Sequence, residues 1–157
     1  MPLAVGDRAP EFTLKGHQSS DPVSLSDFRD KENVLLLFFP LAFSSVCTSE
    51  LCSLRDHHTD YRKLDARILG ISVDSPFTLA AWAQAEGFPF DLLSDFNREV
   101  SPRYDSLYDD LMGLRGVSKR SAFVIDKDGI VRYAEVCPSA GQLPDFEAIR
   151  NTLKTLA

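Results

Sequence analysis

The hydrophobic positions of the chain fall into two kinds of run, and their spacing predicts strands that alternate with helices. Residues 33–39 and 66–73 are nearly continuous apolar runs of strand length, a pattern typical of strands that are covered on both faces. Over residues 47 to about 64 the apolar positions recur every three or four residues instead. This spacing predicts an amphipathic helix with Cys47 in its first turn.

A second helix carries its own start and stop signals. Ser75 is suited to cap this helix, Pro76 to occupy its first position and Gly87 to end it. Residues 90–95 then predict a third short strand. The stretch that follows, residues 105–117, has no regular spacing and is expected to be irregular.

Hairpins are predicted at both ends of this array. Residues 11–16 and 22–25 flank a polar turn near the amino terminus, and residues 121–136 form two apolar strands around a turn at residues 126–129. A closing helix is expected after the second hairpin. Its buried stripe consists of Phe146, Ile149 and Leu153.

This order of elements predicts an α/β fold of thioredoxin-like type. We expect a three-layer sandwich with a mixed central sheet, helices on both faces and an N-terminal hairpin. The right-handed crossover rule makes the first strand–helix–strand unit parallel. A length of 157 residues and a hydrophobic content of 44% suit one buried core, so residues 1–157 are expected to form a single domain.

The charge balance argues against anionic partners. The chain has 17 Lys and Arg residues against 23 Asp and Glu, a formal net charge of -6, so we expect no nucleic acid partner. The longest apolar run, residues 34–43, is about half as long as a membrane-spanning helix, and the first residues lack the features of a secretory signal. A soluble, cytoplasmic protein that does not bind membranes is expected.

Three cysteines, Cys47, Cys52 and Cys137, carry the candidate chemistry. Their small, odd number does not fit a secreted scaffold that is held together by disulfides. A buried structural thiol is the simplest interpretation of each. Cys47 differs because it follows a loop and opens a helix, where unpaired N–H groups and the helix dipole stabilise a thiolate. Cys47 is therefore the candidate nucleophile.

A zinc site is the main alternative, because His57 and His58 lie near two of the cysteines in the sequence. Residues five apart on a helix point about 140° away from each other, so Cys47, Cys52 and His57 cannot converge on one ion. A C-x-x-C dithiol does not occur in the sequence either. We therefore expect neither a metal ion nor a cofactor.

The residues around Cys47 resemble those of a known family. Pro40, Ser44 and Cys47 match the peroxiredoxin signature P-x-x-x-(T/S)-x-x-C, placed as in that family after a buried strand and at the start of a helix. Arg120 resembles the arginine that precedes the penultimate strand of peroxiredoxins. Among subgroups, the chain most resembles alkyl hydroperoxide reductase E and peroxiredoxin Q, also called bacterioferritin comigratory protein. The segments that carry the resemblance follow the family order and are GDRAPEFTL, NVLLLFFPLAF, CTSEL, AAWAQAEGFPFDLLSD and AFVIDKDGIVRYAEV.

The resemblance implies a thiol-dependent peroxidase that reduces hydrogen peroxide and organic hydroperoxides through a sulfenic acid on Cys47. It assigns Arg120, Ser44 and Pro40 to the catalytic site with Cys47, and it gives Glu50 a supporting role. From its expected place in the first helical turn, Glu50 is predicted mainly to stabilise the helix through the dipole. The alternative function is a redox sensor or chaperone in which oxidation of Cys47 acts as a switch.

Three routes are open for resolving the sulfenic acid. Cys52 stands where peroxiredoxin Q-type proteins carry a resolving cysteine, and the first helical turns would have to unwind before it could reach Cys47. In the predicted second hairpin Arg120 pairs near Glu135, which brings Cys137 back towards Arg120. The third route is an external thiol of the thioredoxin, glutaredoxin or low-molecular-weight type. We expect Cys52 ahead of Cys137 and the external thiol third, and the resemblance also allows a homodimer.

Overall fold

The structure is a computed structural model and describes residues 3–18 and 21–156. Among these residues, seven strands form one sheet in the order β2-β1-β5-β4-β3-β6-β7. The strands are β1 (Thr13–Gly16), β2 (Val23–Ser24), β3 (Asn33–Phe38), β4 (Ala66–Ser72), β5 (Asp91–Ser94), β6 (Ser121–Ile125) and β7 (Val131–Val136). The α-helices are α1 (Ser45–Asp56), α2 (His58–Lys63), α3 (Pro76–Glu86) and α4 (Phe146–Leu156). The predicted α/β fold with a mixed central sheet is confirmed.

The sheet topology places the loop before Cys47 next to the residue that precedes β6. Strands β3, β4 and β5 are parallel neighbours, so their carboxyl ends meet at one edge of the sheet. Strand β6 runs antiparallel to β3, and its first residue, Ser121, pairs with Phe38 at the end of β3. Arg120 therefore directly precedes β6 at the edge where the chain leaves β3 towards α1.

The N-terminal hairpin is present as predicted. Strands β1 and β2 pair antiparallel, with Leu14 opposite Val23, and β1 continues the sheet by pairing with β5. Ser19 and Ser20 of the predicted turn lie outside the described residues.

Helix α3 also begins and ends as predicted. The Ser75 hydroxyl accepts a hydrogen bond from the Thr78 N–H at 3.2 Å, and Pro76 is the first helical residue. Gly87 ends the helix with a φ of 68°, a left-handed conformation that glycine adopts without steric strain. Local signals thus suffice to define this helix.

The helix that carries Cys47 differs from the single helix predicted over residues 47–64. Helix α1 begins two residues earlier, at Ser45, and ends at Asp56, and α2 follows after a break at His57. The His57 N–H and its ring Nδ1 both lie within hydrogen-bond distance of the Ser53 carbonyl, at 3.2 and 2.9 Å. The backbone of His57 has a φ of -112° and a ψ of 16°, which lie outside the helical conformation, and it separates α1 from α2.

The two faces of the sheet are covered differently. On β3, Leu35 and Leu37 face a core to which all four α-helices contribute, whereas Leu36 and Phe38 face a second core. The second face is covered by the N-terminal segment and by two short 3₁₀ helices rather than by α-helices. These 3₁₀ helices span Leu25–Phe28 and Ser101–Tyr104.

The second hairpin is present, but its register differs from the predicted one. Asp126 and Ile130 close a three-residue loop in which Gly129 has a φ of 83°, so the loop is one residue shorter than expected. A further irregularity between Val124 and Ile125 shifts the pairing again. As a result Arg120 lies opposite Cys137 rather than Glu135, and the Cys137 N–H donates to the Arg120 carbonyl at 2.8 Å.

Helices long and apolar enough to cross a membrane are not found among the described residues.

Candidate active site

Cys47 lies in the first turn of α1 and is fully buried. Ser44 is the N-cap residue, and its carbonyl accepts the first helical hydrogen bond, from the Thr48 N–H at 2.9 Å. The N–H groups of Val46 and Cys47 precede that bonded turn, so the positive end of the helix dipole surrounds the thiol. This environment favours negative charge on sulfur.

Arg120 meets Cys47 inside the protein and is itself 1% exposed. Its Nη2 donates to Cys47 Sγ at 3.1 Å, its Nη1 to Glu50 Oε1 at 2.7 Å and its Nε to the Ala140 carbonyl at 2.9 Å. Burial alone would lower the pKa of Arg120. The charges of Glu50 and Cys47 outweigh burial and raise the pKa above its ordinary value, so the guanidinium stays protonated. The fork of Arg120 is thus fixed by three partners, one of which is the thiol.

Glu50 differs from its prediction in both position and partner. It lies beyond the first turn of α1 and is completely buried, and its carboxylate pairs with Arg120 instead of stabilising the helix end through the dipole. Glu50 Oε2 has no hydrogen-bond partner among the described residues. Burial raises the pKa of Glu50 to about 7, against the opposing charge and hydrogen bond of Arg120.

Glu50→Gln is therefore expected to remove a pH dependence of stability. Between the ordinary pKa of 4.5 and the folded value of about 7, the folded protein holds a proton that the unfolded chain has released. The stability that this group contributes is complete below the unfolded pKa and is lost as the pH rises through the folded pKa. The expected loss between pH 5 and pH 8 is roughly 2 kcal/mol.

Urea unfolding of the parent protein and of Glu50→Gln at these two pH values measures that difference, since all other titrating groups cancel in the comparison. Glutamine keeps the acceptor for Arg120 and removes the titrating carboxyl. The same pH dependence in both proteins would contradict the assignment.

A surface pocket of about 300 Å³ lies beside the thiol. It is lined by the predicted site residues Pro40, Ser44 and Arg120 and by Leu111 and Met112 of the irregular segment. The Ser44 hydroxyl donates to the Leu41 carbonyl at 2.8 Å and is exposed, so it can also meet a molecule in the pocket. Because Arg120 touches both the pocket and Cys47, it connects the buried sulfur to the surface.

The other two cysteines have different surroundings, and all three thiols are free. Cys52 is half-buried on α1 and donates to Glu86 Oε2 at 3.3 Å. Cys137 follows β7, is buried, and lines a separate pocket of about 540 Å³ that includes Lys119. Burial and the charges of Glu135 and Glu50 raise the pKa of Cys137 to about 11, although the charge of Arg120 lowers it.

Sequence reasoning missed three contributors to this region. The Ala140 carbonyl that holds Arg120, the pocket wall at Leu111 and Met112, and the Glu86 carboxylate at Cys52 had no motif to indicate them. No group of Cys, His, Asp and Glu side chains that could hold a metal ion is found in residues 3–18 and 21–156.

Comparison with known proteins agrees with this geometry. Residues 5–134 match the AhpC/TSA family. Alkyl hydroperoxide reductase E of Mycobacterium tuberculosis is 43% identical over 136 residues, which cover 85% of this chain and 86% of the relative. Among solved structures, peroxidoxin BcpB of Mycobacterium tuberculosis superposes with a TM-score of 0.87 at 28% identity over 99% of both chains. The reduced 2-Cys peroxiredoxin of Plasmodium vivax has a TM-score of 0.85 at 33% identity, covering 97% of this chain and 81% of that one.

These matches confirm the thioredoxin-like fold. They cover the chain from β1 to β7, including the loop that leads to Cys47. By name these three proteins are an alkyl hydroperoxide reductase, a peroxidoxin and a 2-Cys peroxiredoxin, and each match covers at least 85% of this chain. The chain belongs to the AhpC/TSA family and is a peroxiredoxin, a thiol-dependent peroxidase.

Proposed function

We propose that Cys47 is the thiol that reduces the hydroperoxide and that Arg120 is its main electrostatic partner. The observation that carries this proposal is the 3.1 Å hydrogen bond from Arg120 Nη2 to Cys47 Sγ, formed by two buried side chains beside an open pocket. A guanidinium in that position stabilises the thiolate before the reaction and the developing charge on the peroxide during it.

The reaction proceeds by attack of the Cys47 thiolate on the terminal oxygen of the hydroperoxide. The new S–O bond forms as the O–O bond breaks, so sulfur is oxidised to a sulfenic acid and the peroxide is reduced. The leaving alkoxide, or hydroxide when the substrate is hydrogen peroxide, takes up a proton and departs as an alcohol or water.

The other predicted residues are assigned supporting parts in this step. The Ser44 hydroxyl, which lines the pocket, is proposed to bond the peroxide oxygens, and Pro40 to cover the site without an N–H that would compete for them. Glu50 is proposed to hold the second arm of Arg120 so that Nη2 stays directed at Cys47. The site thus combines one nucleophile with a fixed set of donors.

Turnover with a thiol reductant distinguishes this enzyme from the alternative, a peroxide-responsive sensor or chaperone. Hydrogen peroxide and an organic hydroperoxide are each supplied in excess with a thioredoxin, a glutaredoxin or a low-molecular-weight thiol. Consumption over many equivalents per chain is expected with at least one reductant. Consumption that stops after one equivalent with all three would support the sensor. The reductant class, the homodimer and the cytoplasmic location stay predictions.

We propose Cys52 as the first choice for resolving the sulfenic acid and Cys137 as the second, with the external thiol third. Cys52 is half-buried and needs α1 to unwind near its amino end, where Ser44 and Ser45 are already exposed. Cys137 is more deeply buried and its pKa of about 11 leaves little thiolate at neutral pH. Either cysteine would have to move to meet Cys47.

Peptide mapping after one equivalent of hydrogen peroxide tests this order. A disulfide between Cys47 and Cys52 is the expected product. A disulfide between Cys47 and Cys137 would reverse the order, and a persistent sulfenic acid without a disulfide would leave the external thiol as the resolving group.

A further inference from the structure

Glu86 forms a contact with Cys52 that the peroxidase reaction at Cys47 does not use. Glu86 is the last residue of α3, and its Oε2 accepts a hydrogen bond from Cys52 Sγ at 3.3 Å. Arg55, nearly one turn further along α1, donates to the Glu86 carbonyl and lies 3.8 Å from the same Oε2. The turn of α1 that carries Cys52 is therefore bound to the end of α3 by two side chains.

These contacts favour the protonated thiol. Burial raises the pKa of Cys52, and the hydrogen bond to Glu86 and the charges of Glu86 and Asp56 raise it further, while Arg55 lowers it. A carboxylate that accepts the S–H bond loses its partner when the thiol ionises, and it repels the thiolate that remains.

We propose that Glu86 is a positioning residue that restrains Cys52 and so delays its attack on oxidised Cys47. The inference rests on the proposed function, in which Cys52 is the first resolving group. For the disulfide to form, Cys52 must release its proton and leave Glu86. Its thiolate then bonds to Cys47 Sγ, the S–O bond of the sulfenic acid breaks, and the departing hydroxide combines with a proton to give water. An external thiol needs neither step at Glu86.

The restraint makes the rate of the intramolecular route depend on pH. At neutral pH the sulfenic acid on Cys47 persists longer before the disulfide forms, because Cys52 is protonated and held by Glu86. At alkaline pH Cys52 ionises and the disulfide forms faster. The charged groups that act on Cys52 in this balance are Glu86, Arg55 and Asp56.

A matched pair of variants tests the proposal. Glu86→Gln keeps a hydrogen-bond acceptor of the same size but removes the negative charge, whereas Arg55→Gln removes the positive charge that favours the thiolate. Each is prepared with Cys137→Ser, given one equivalent of hydrogen peroxide and quenched at intervals for mapping of the Cys47–Cys52 disulfide. Trp82, the single tryptophan, packs in the same core as Cys47, so its fluorescence follows the oxidation step independently.

Glu86→Gln is expected to form the disulfide severalfold faster at neutral pH, because loss of the carboxylate lowers the pKa of Cys52, and to shift the alkylation profile of Cys52 to lower pH. Arg55→Gln is expected to form it more slowly than the parent. A purely structural contact between α1 and α3 predicts that both variants accelerate, so that result overturns the proposal.

Unchanged disulfide formation in Glu86→Gln also overturns the proposal, as does a sulfenic acid on Cys47 that never yields a Cys47–Cys52 disulfide in any variant. In both cases the peroxidase function at Cys47 stands. Absence of the sulfenic acid itself would overturn the proposed function together with the role of Glu86.

Discussion

Cys47→Ser is expected to abolish hydroperoxide reduction, with a loss of at least about 1,000-fold in the rate of peroxide consumption. A serine hydroxyl stays protonated at neutral pH and cannot form the sulfenic acid on which the reaction depends. Serine is close to cysteine in size, so the variant retains the packing of α1 against the sheet. Stopped-flow measurement of the second-order rate constant with hydrogen peroxide checks the result.

The matched controls are Cys52→Ser and Cys137→Ser. Each should keep the first reaction with peroxide within a few-fold of the parent rate, because neither sulfur contacts Arg120 by a hydrogen bond in the structure. Residual activity of Cys47→Ser comparable to the parent, or loss of the first reaction in a control, would contradict the assignment of the nucleophile.

Arg120→Met is expected to lower the same rate constant by about 100-fold to 1,000-fold, the usual effect of removing a fixed donor from a developing anion. Arg120→Lys should recover only part of that loss. A lysine ammonium is a single point charge, whereas Arg120 reaches Cys47, Glu50 and the Ala140 carbonyl at once.

Removal of Arg120 also leaves Glu50 buried without its partner and removes the charge that lowers its pKa, so Glu50 is buried as the neutral acid. The lost hydrogen bond and the unsatisfied carboxyl cost about 1–3 kcal/mol. The double variant Arg120→Met/Glu50→Gln separates the two effects. It should recover much of the free energy of unfolding and none of the rate. Recovery of both would show that Arg120 acts through stability alone.

The sequence predicts those parts of the molecule that depend on local signals. Ser75, Pro76 and Gly87 define α3 because capping and left-handed termination are decided within a few residues. The uninterrupted apolar run of β3 and the loop after it place Cys47 at a helix start for the same reason. The resemblance to peroxiredoxins then points to Arg120, which lies far from Cys47 in the sequence.

Features that depend on packing or register could not be predicted. The pairing of Arg120 with Cys137 follows from a three-residue turn and an irregularity in β6, and neither changes the apolar pattern. Glutamate is a residue type usually found at the surface, and Glu50 is buried in an ion pair with Arg120 that no local pattern indicates. Contacts between Cys52 and Glu86 join two helices whose relative position no local pattern encodes.

The most direct test of the account is to find which thiol is oxidised first. The parent protein is mixed with one equivalent of hydrogen peroxide in the presence of dimedone, quenched within the first turnover and digested for mass spectrometry. The account predicts a sulfenic acid adduct on Cys47 in those chains that have not yet formed the Cys47–Cys52 disulfide, with Cys52 and Cys137 free of adduct. An adduct that appears first on Cys52 or Cys137, or equally on all three, would contradict it.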